Sequence, residues 1–272
     1  MHSQHVHLPG ASIRRERCME QNSFETFWST EAAIDQLRSV ITQSERFVLL
    51  VCPASMLEEI ETELRSARDR GVLVLLLIGD DTDDDRSSGV NGTIPWPSIA
   101  TIVRQWDPIV GFEVVCTTDR GRGIIIGYDP LYRDEQTETV AYANDLIETK
   151  VFSTILGNFW PLSRELYVAP PNPLPHEYES LYHAIVDARH YLENDHLIEA
   201  AVTGYWLDEI REPGTVEGPV INVHQSFIYP ATSAFFGENN LVVETADGPV
   251  TIGGHGSFVE DFEATHVTLS PV

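Results

Sequence analysis

Between Gly253 and Glu263 the chain reads Gly-Gly-His-Gly-Ser-Phe-Val-Glu-Asp-Phe-Glu, and this stretch gathers residue types suited to holding a polar ligand. Glycine lets a backbone come close to a bound molecule. Glu260 and Asp261 add carboxylate acceptors within a few residues. Short acidic side chains beside bare backbone suit a ligand rich in hydroxyls, which needs acceptors and close main-chain contact. The plainer alternative is a β-turn followed by a solvated acidic strand. Trp160, Tyr205, Trp206 and Phe258 offer flat apolar faces of the kind that pack on sugar rings, unless they fill a core instead.

Other chemistries fit less well. Glycoside hydrolysis needs two carboxyls a defined distance apart. On a regular strand Glu260 and Asp261 point to opposite faces, as do Glu260 and Glu263, so a pair would need a partner such as Glu244. There is no His-Glu-x-x-His, no Gly-x-Ser-x-Gly, no Walker loop and no zinc spacing. Asp81, Asp83 and Asp85 resemble a calcium loop, but the glycine and glutamate such a loop needs are missing, so a solvated loop is expected. Gly121, Gly123 and Gly127 belong to a hairpin and its turn and do not form a dinucleotide fingerprint. His183 and His190 share a helical face without a third ligand, and His2, His5 and His7 sit in a polar leader. No metal or cofactor is expected. Cys52 and Cys116 lie in apolar runs and read as buried small hydrophobes, which suits a reducing cytoplasm.

These residues must be held by a folded core, and 272 residues at 42% hydrophobic content can supply one. The charge is extreme: Asp+Glu 42 against Lys+Arg 17 gives a net charge of -25, and Lys150 is the only lysine. Excess surface carboxylate keeps a chain hydrated in concentrated salt, where self-repulsion is screened, so the balance reads as adaptation to a high-salt cytoplasm. It argues against direct nucleic-acid contact, which needs a basic patch. No apolar run reaches membrane-spanning length, and the polar start lacks the apolar stretch of a signal peptide.

Along the chain, residues 1–23 read as a flexible leader. From Phe24 the pattern becomes regular: a helix capped by Thr30, a strand over Phe47 to Cys52, a helix capped by Ser55, and a buried strand over Val72 to Ile78. This β-α-β run predicts parallel strands with a right-handed crossover. A short helix or strand is expected over Ile99 to Trp106, and strands over Phe112 to Cys116, Gly123 to Gly127 and Thr139 to Ala143. An amphipathic helix is expected over Leu146 to Trp160. The proline-rich joint Ala169 to Pro175 is the internal boundary. Beyond it a helix over Tyr178 to Leu192 precedes strands at Leu197 to Leu207, Gly214 to Tyr229, Asn240 to Thr245, Val250 to Gly253 and Phe258 to Leu269. Ala246-Asp247-Gly248-Pro249 marks a hairpin. The second part thus reads as a small antiparallel barrel or sandwich with one helix.

Taken in order, several segments resemble the C-terminal half of the TrmB family of archaeal sugar-responsive transcription regulators. They are Phe27-Trp28-Ser29-Thr30, Phe47 to Ile78, Leu156-Gly157-Asn158-Phe159-Trp160-Pro161, Gly218 to Gln225, Asn240 to Thr245 and the closing glycine-rich stretch. The resemblance covers roughly residues 24 to 272. It implies a phospholipase D-like α/β subdomain over 24–168 and, after the 169–175 joint, a β-rich sugar-binding subdomain over 176–272. Carried over, the site comprises Gly254, His255, Phe258, Val259 and Glu260, with Asn239 or Asn240 upstream; residue type alone adds Trp160 as a stacking aromatic. His255 stands where relatives carry an apolar residue. The implied effector is a mono- or disaccharide, reported by reorientation of the subdomains about the joint, with assembly as a homodimer or with a partner regulator. Phospholipase D chemistry needs a His-x-Lys pair, and Lys150 has Glu148 two residues before it, so no catalysis is expected. The family's winged helix has no counterpart ahead of Phe24, which suggests a stand-alone sensor, a truncated gene or a fragment. The competing readings are a carbohydrate or phosphodiester hydrolase and a module that pairs with full-length regulators.

Overall fold

The computed structural model describes residues 24–27, 29–79, 94–106, 114–119, 122–126, 139–143, 151, 154–208, 211–234 and 238–272. The N-terminal histidines, the 80–92 acidic loop, Gly121, Gly127 and Lys150 lie outside these described residues.

The predicted β-α-β unit is present. Strand β2 (Phe47–Pro53) and strand β3 (Leu73–Gly79) are parallel, paired from Phe47↔Leu73 to Pro53↔Gly79. Their near-continuous apolar runs are explained by burial on both faces. Val48, Leu50 and Cys52 face helices α1 (Thr30–Gln43) and α2 (Leu57–Asp69), while Phe47, Leu49 and Val51 face the other way. Each helix presents one apolar stripe, Ala33, Leu37, Val40 and Ile41 on α1 and Leu57, Ile60, Leu64 and Ala67 on α2. Each fully buried leucine or isoleucine there contributes roughly 1.5–3 kcal/mol. The caps differ from expectation by a residue or more. Ser29, not Thr30, receives the Ala32 N–H at 3.2 Å, and α2 is preceded by a 3-10 turn over Ala54–Met56, so Ser55 does not cap it.

Around this unit lies an eight-stranded mixed sheet. Strand β1 (Phe24–Phe27) forms one edge, followed by β7 (Thr139–Ala143), β6 (Arg122–Ile126) and β5 (Val114–Thr118), then β2 and β3, then β4 (Ile102–Trp106) and β8 (Arg164–Val168). A one-turn helix α3 (Trp96–Ile99) leads into β4. The Asp119 carboxylate after β5 accepts the backbone N–H groups of Glu45, Arg46 and Phe47 at 3.0, 3.0 and 3.3 Å, which fixes the entry to β2. The helix expected up to Trp160 is seen in its last part as a widened π turn over Ile155–Phe159 and a 3-10 turn at Trp160–Leu162. Pro161, which cannot donate to a helical ladder, explains the break.

The second part is a closed barrel. Strands β10 (Ile198–Trp206), β11 (Pro213–His224), β12 (Asn240–Thr245), β13 (Gly248–Gly253) and β14 (Phe262–Pro271) pair in that order, and β10 pairs back with β14. Strand β9 (His176–Tyr178) adds to β14, and helix α4 (Leu181–Glu193) packs on the barrel. Tyr178 therefore belongs to a strand and not to the helix predicted to begin with it. The Ala246-Asp247 hairpin forms as expected. All pairings in this sheet are antiparallel except β13 with β14, which run parallel at Ile252↔Phe262 and Gly253↔Glu263. Residues 254–261 must accordingly double back between them. Residues 258–261, read as strand from sequence, lie in this return loop.

The two parts share a core. Phe47, Leu49, Leu75, Leu77, Ile102 and Trp160 join one buried cluster with Leu181, Ile185, Val223, Phe227 and Leu241. Tyr182 links them, with ring centroids 6.3 Å from Phe47 and 5.4 Å from Phe227. The joint is pinned as well. Buried Asp187 accepts the backbone N–H of Asn172 at 3.0 Å, its side-chain amide at 2.8 Å and the Tyr178 hydroxyl at 2.8 Å. His183 reaches the Gly71 carbonyl at 3.3 Å, tying α4 to the end of α2. Swinging the subdomains about the joint would expose this core, so its prolines do not act as a slack pivot here.

Candidate functional site

The return loop is held at both ends. Asp261 accepts the backbone N–H and the hydroxyl of Thr251 at 2.9 and 2.7 Å, and its own N–H meets the Thr251 carbonyl at 3.1 Å. Near the start, the Ser257 N–H donates to the Gly254 carbonyl at 3.0 Å. Gly253 must lack a side chain. A Cβ there would fall 2.0 Å from Ser257 Oγ and 2.8 Å from Glu260 Cδ, because the loop folds over the end of β13. Gly254 is buried with the Tyr182 ring against it, 3.5 Å from where its Cβ would be. The aromatic that links the two parts of the core thus touches the loop.

The side chains this loop carries fall into separate groups. The Glu260 carboxylate has no hydrogen-bond partner among the described residues. Phe258 and Val259 are 88% and 71% exposed and cover nothing. His255 turns back to Glu263, Nδ1 to Oε1 at 3.1 Å, and the Arg211 guanidinium takes Glu263 Oε2 at 2.5 Å. Glu263, at the start of β14, is buried between them.

A cleft of about 720 Å³ opens beside the loop. Strand β11 pairs in register with β12 only from Val220 onward and still touches it at Gly218, where a Cβ would fall 2.0 Å from the Glu244 carbonyl oxygen. The residues before Gly218 part from the end of β12 and leave the barrel open there. Trp206, Asp208, Thr215, Glu217, Thr245, Asp247, Glu260 and Asp261 are among the residues around the opening. Trp206 stands edge-on to Phe262, centroids 5.1 Å apart, and closes the inner side. Gly214 is bare because a Cβ would lie 2.7 Å from the Trp206 indole nitrogen. The lining therefore offers carboxylate and hydroxyl acceptors around one aromatic, and no described lysine or arginine.

The upstream asparagines differ in role. Asn240 begins β12, one residue before the Leu241↔Ile252 pair, so the register sets it beside Gly253. Its Oδ1 meets His224 Nδ1 at 2.9 Å. Asn239 is buried and accepts the Ser226 N–H at 3.0 Å, shaping the turn after β11. Trp160 stands apart from both. It is 0% exposed, its indole N–H donates to the Phe227 carbonyl at 2.8 Å, and Arg104 lies over its ring at 5.7 Å. With no face open to a ligand, Trp160 is a brace between the sheet and the barrel, which corrects the stacking role expected of it.

Comparison with known proteins decides the lineage. A family model described as the transcriptional regulator TrmB, effector-binding domain (EBD), N-terminal subdomain, matches residues 23–167. A second, described as the TrmB/TrmBL1 EBD C-terminal subdomain, matches residues 173–272. The chain belongs to the TrmB family.

The cleft and the return loop lie wholly within the TrmB C-terminal subdomain match, and Trp160 lies within the N-terminal one. Among solved structures, the chain is similar to Nuc, a phospholipase D family member from Salmonella typhimurium, at 17% identity and TM-score 0.44. That match covers 54% of this chain and 99% of that one. It is also similar to TrmBL2, described as an archaeal chromatin protein with a novel mode of DNA binding, at 12% identity and TM-score 0.39. Here 57% of this chain and 62% of that chain are covered. NucT from Helicobacter pylori matches at 12% identity and TM-score 0.39, over 53% of this chain and 98% of that one.

Several site residues were not singled out from sequence as ligand contacts. Arg211, Asp208 and Glu217 come from β11 and the segment before it, and only the closure of the barrel brings them to the loop. Thr251 and Tyr182 carry no local signal, since their roles depend on the return of the chain from Gly254 to Asp261.

Proposed function

We propose that this TrmB effector-binding domain is a non-catalytic sensor of a neutral or derivatised sugar or polyol, bound where the return loop meets the cleft. The observation that carries the reading is Glu260. Its carboxylate has no described partner, borders a cleft of about 720 Å³ and lies against the bare backbone of Gly253. Ligand pockets for small molecules span about 300–1,000 Å³, so a mono- or disaccharide fits in scale. In this reading Glu260 accepts hydrogen bonds from vicinal hydroxyls. Gly254 and His255 present backbone and ring edge, and Phe258 and Val259 close over the sugar. Asn240 orders the end of β12 beside Gly253, and Asn239 fixes the turn that leads to it. The remaining lining carboxylates and Thr215 offer further acceptors.

The same geometry supports binding without turnover. Asp261, the neighbour that could pair with Glu260 in acid–base work, is engaged by Thr251 through both its N–H and its hydroxyl. A hydrolase needs two available carboxyls facing one bond. The division into an α/β subdomain over 24–168 and a sugar-binding subdomain over 176–272 belongs to this reading, as does a cytoplasm rich in salt. In a longer relative the bound state would alter contact with DNA, by a homodimer or through a partner regulator.

The test is a thermal-shift screen in molar KCl against mono- and disaccharides and their phosphates. A ligand that binds only the native state adds about 2.7 kcal/mol at a hundredfold excess over Kd. A shift with one sugar that is lost in Glu260→Gln, with the unliganded Tm unchanged, supports the assignment. No shift from a folded sample, or unchanged affinity in that variant, ends it and favours a module that acts by pairing with other regulators.

A further inference from the structure

Arg211 is in an unusual place. Among the described residues the arginines Arg38, Arg65, Arg104 and Arg189 each pair with a carboxylate of the helical or sheet framework, far from the loop. Arg211 instead stands at the entry to β11 with φ of 54°, a left-handed backbone that non-glycine residues seldom adopt. Asp208, which lines the cleft, holds it there by accepting the Arg211 N–H at 2.8 Å. From this position its side chain meets Glu263, whose other oxygen holds His255. An ionised carboxylate only accepts, so the His255 Nδ1 carries the proton and donates.

Glu263 itself is set rigidly. Strands β10 and β14 pass so closely that a Cβ on Gly204 would fall 1.9 Å from the Glu263 carbonyl oxygen. The ladder shifts register at this point, between Thr203 and Gly204. The carboxyl side chain is 6% exposed, whereas Arg211 and His255 are 52% and 81% exposed. One buried anion thus fixes two outward donor groups side by side. Among the described residues Nε and Nη1 of Arg211 and Nε2 of His255 have no partner. A lone buried carboxylate needs one cation to balance it. Here it has two donor groups, and both keep polar atoms free at the rim of the loop that carries Glu260.

We propose that Arg211 and His255, positioned by Glu263, form an anion subsite, and that the effector is a sugar bearing an anionic group, a phosphate or a carboxylate. The proposal rests on the sugar-sensing reading above and names the class of sugar. Hydroxyls would meet the acceptor-lined cleft, and the anionic end would meet the only described guanidinium near it. The overall charge of -25 opposes an anion at long range. At molar salt, however, screening acts over about 3 Å, so contacts at the subsite decide. Guanidinium donors also suit phosphate and carboxylate by geometry, in a fork that a neutral hydroxyl does not use.

The experiment is calorimetric titration in molar KCl with glucose, maltose, glucose 6-phosphate, gluconate and inorganic phosphate. It uses the wild type, Arg211→Gln and His255→Gln. The second variant alters a ring that is mostly exposed and keeps the proposal testable if loss of Arg211 destabilises the chain by unpairing Glu263. The expected result is that glucose 6-phosphate, gluconate or both bind roughly tenfold or more tightly than glucose, the usual scale of a charge-assisted contact. Each substitution should reduce that preference, weakening the anionic sugar by a larger factor than glucose. Preference for the phosphate alone assigns a phosphoryl group, and preference for both assigns any anion. Binding of neutral sugars with no anionic preference overturns this proposal alone, as does a preference that survives His255→Gln and Arg211→Gln. Inorganic phosphate bound as tightly as the sugar phosphate also overturns it. Binding of no sugar at all overturns it together with the sensing function.

Discussion

The indole N–H of Trp160 donates to the Phe227 carbonyl at 2.8 Å, joining the last turn before β8 to the loop after β11. The bond is fully buried, so no water can replace it. Trp160→Phe removes the donor and part of the ring. It should destabilise the protein by about 1–3 kcal/mol, because the Phe227 carbonyl keeps only the longer 3.5 Å contact from Arg104 and a small cavity opens. Because Trp160 sits in the shared core, far-UV circular dichroism and tryptophan fluorescence should report one coincident urea transition in wild type and variant. Two separated transitions would show that sheet and barrel unfold independently.

Gly253 is open to a cleaner test than most loop residues. Gly253→Ala places a methyl group where Ser257 Oγ and Glu260 Cδ now lie. Both are side-chain atoms of a loop tied down elsewhere, so the loop should shift while the barrel stays. The expected outcome is a tenfold or greater loss of sugar affinity with a fall in Tm of only a few degrees. Unchanged affinity would remove the loop from the site.

Acid should act through His183. Burial holds its pKa below the ordinary histidine value, against the attraction of Asp187. Arg68 and His176 also oppose its charge, and the Gly71 carbonyl favours it. The folded state therefore prefers neutral His183. Its contribution to stability is complete above the unfolded value of about 6.5 and is lost as pH falls below it, until the folded group also titrates. One proton limits the slope to about 1.4 kcal/mol per pH unit. Urea unfolding across this range should show a shallower dependence in His183→Gln than in wild type. Parallel curves would exclude His183 as the source.

Burial also pushes the Cys116 thiol up to about 12. The thiolate is the reactive form, so Cys116 should resist alkylation at pH 8 in the native state and react once the chain is unfolded in urea. Mass spectrometry of iodoacetamide-treated protein reads this directly. Rapid native labelling at Cys116 would mean that β5 opens.

Much of the framework was legible from sequence. The strand pair β2 and β3 and the helix between them could be read because apolar period and glycine punctuation agree there. The Ala246-Asp247 hairpin was legible for the same reason. Strand β8 was not, since its half-exposed Arg-Glu-Leu-Tyr-Val has no clean alternation and gains its place only by pairing with β4. From Phe258 the sequence reads as strand because alternation continues through a segment that bends back. What bends it is Asp261 on Thr251, a contact between side chain and backbone invisible to periodicity. For the candidate site, the glycine stretch and Glu260 stood out by type and spacing. Arg211 did not, because the barrel, not the sequence, sets it against Glu263. Trp160 has the chemistry of a stacking residue, but a flat aromatic face serves a core equally well.

The shared core also bears on inheritance. Residues facing one another across the seam, such as Phe47, Tyr182 and Phe227, fit as a set. A chimera joining residues 23–167 of one relative to 173–272 of another would meet mismatched volumes there, even with both halves intact. Substitutions along the seam should then be tolerated only in compensating combinations. Specificity for a new effector would evolve more readily at the exposed tip of the loop, where Phe258 and Val259 can change singly without touching the seam.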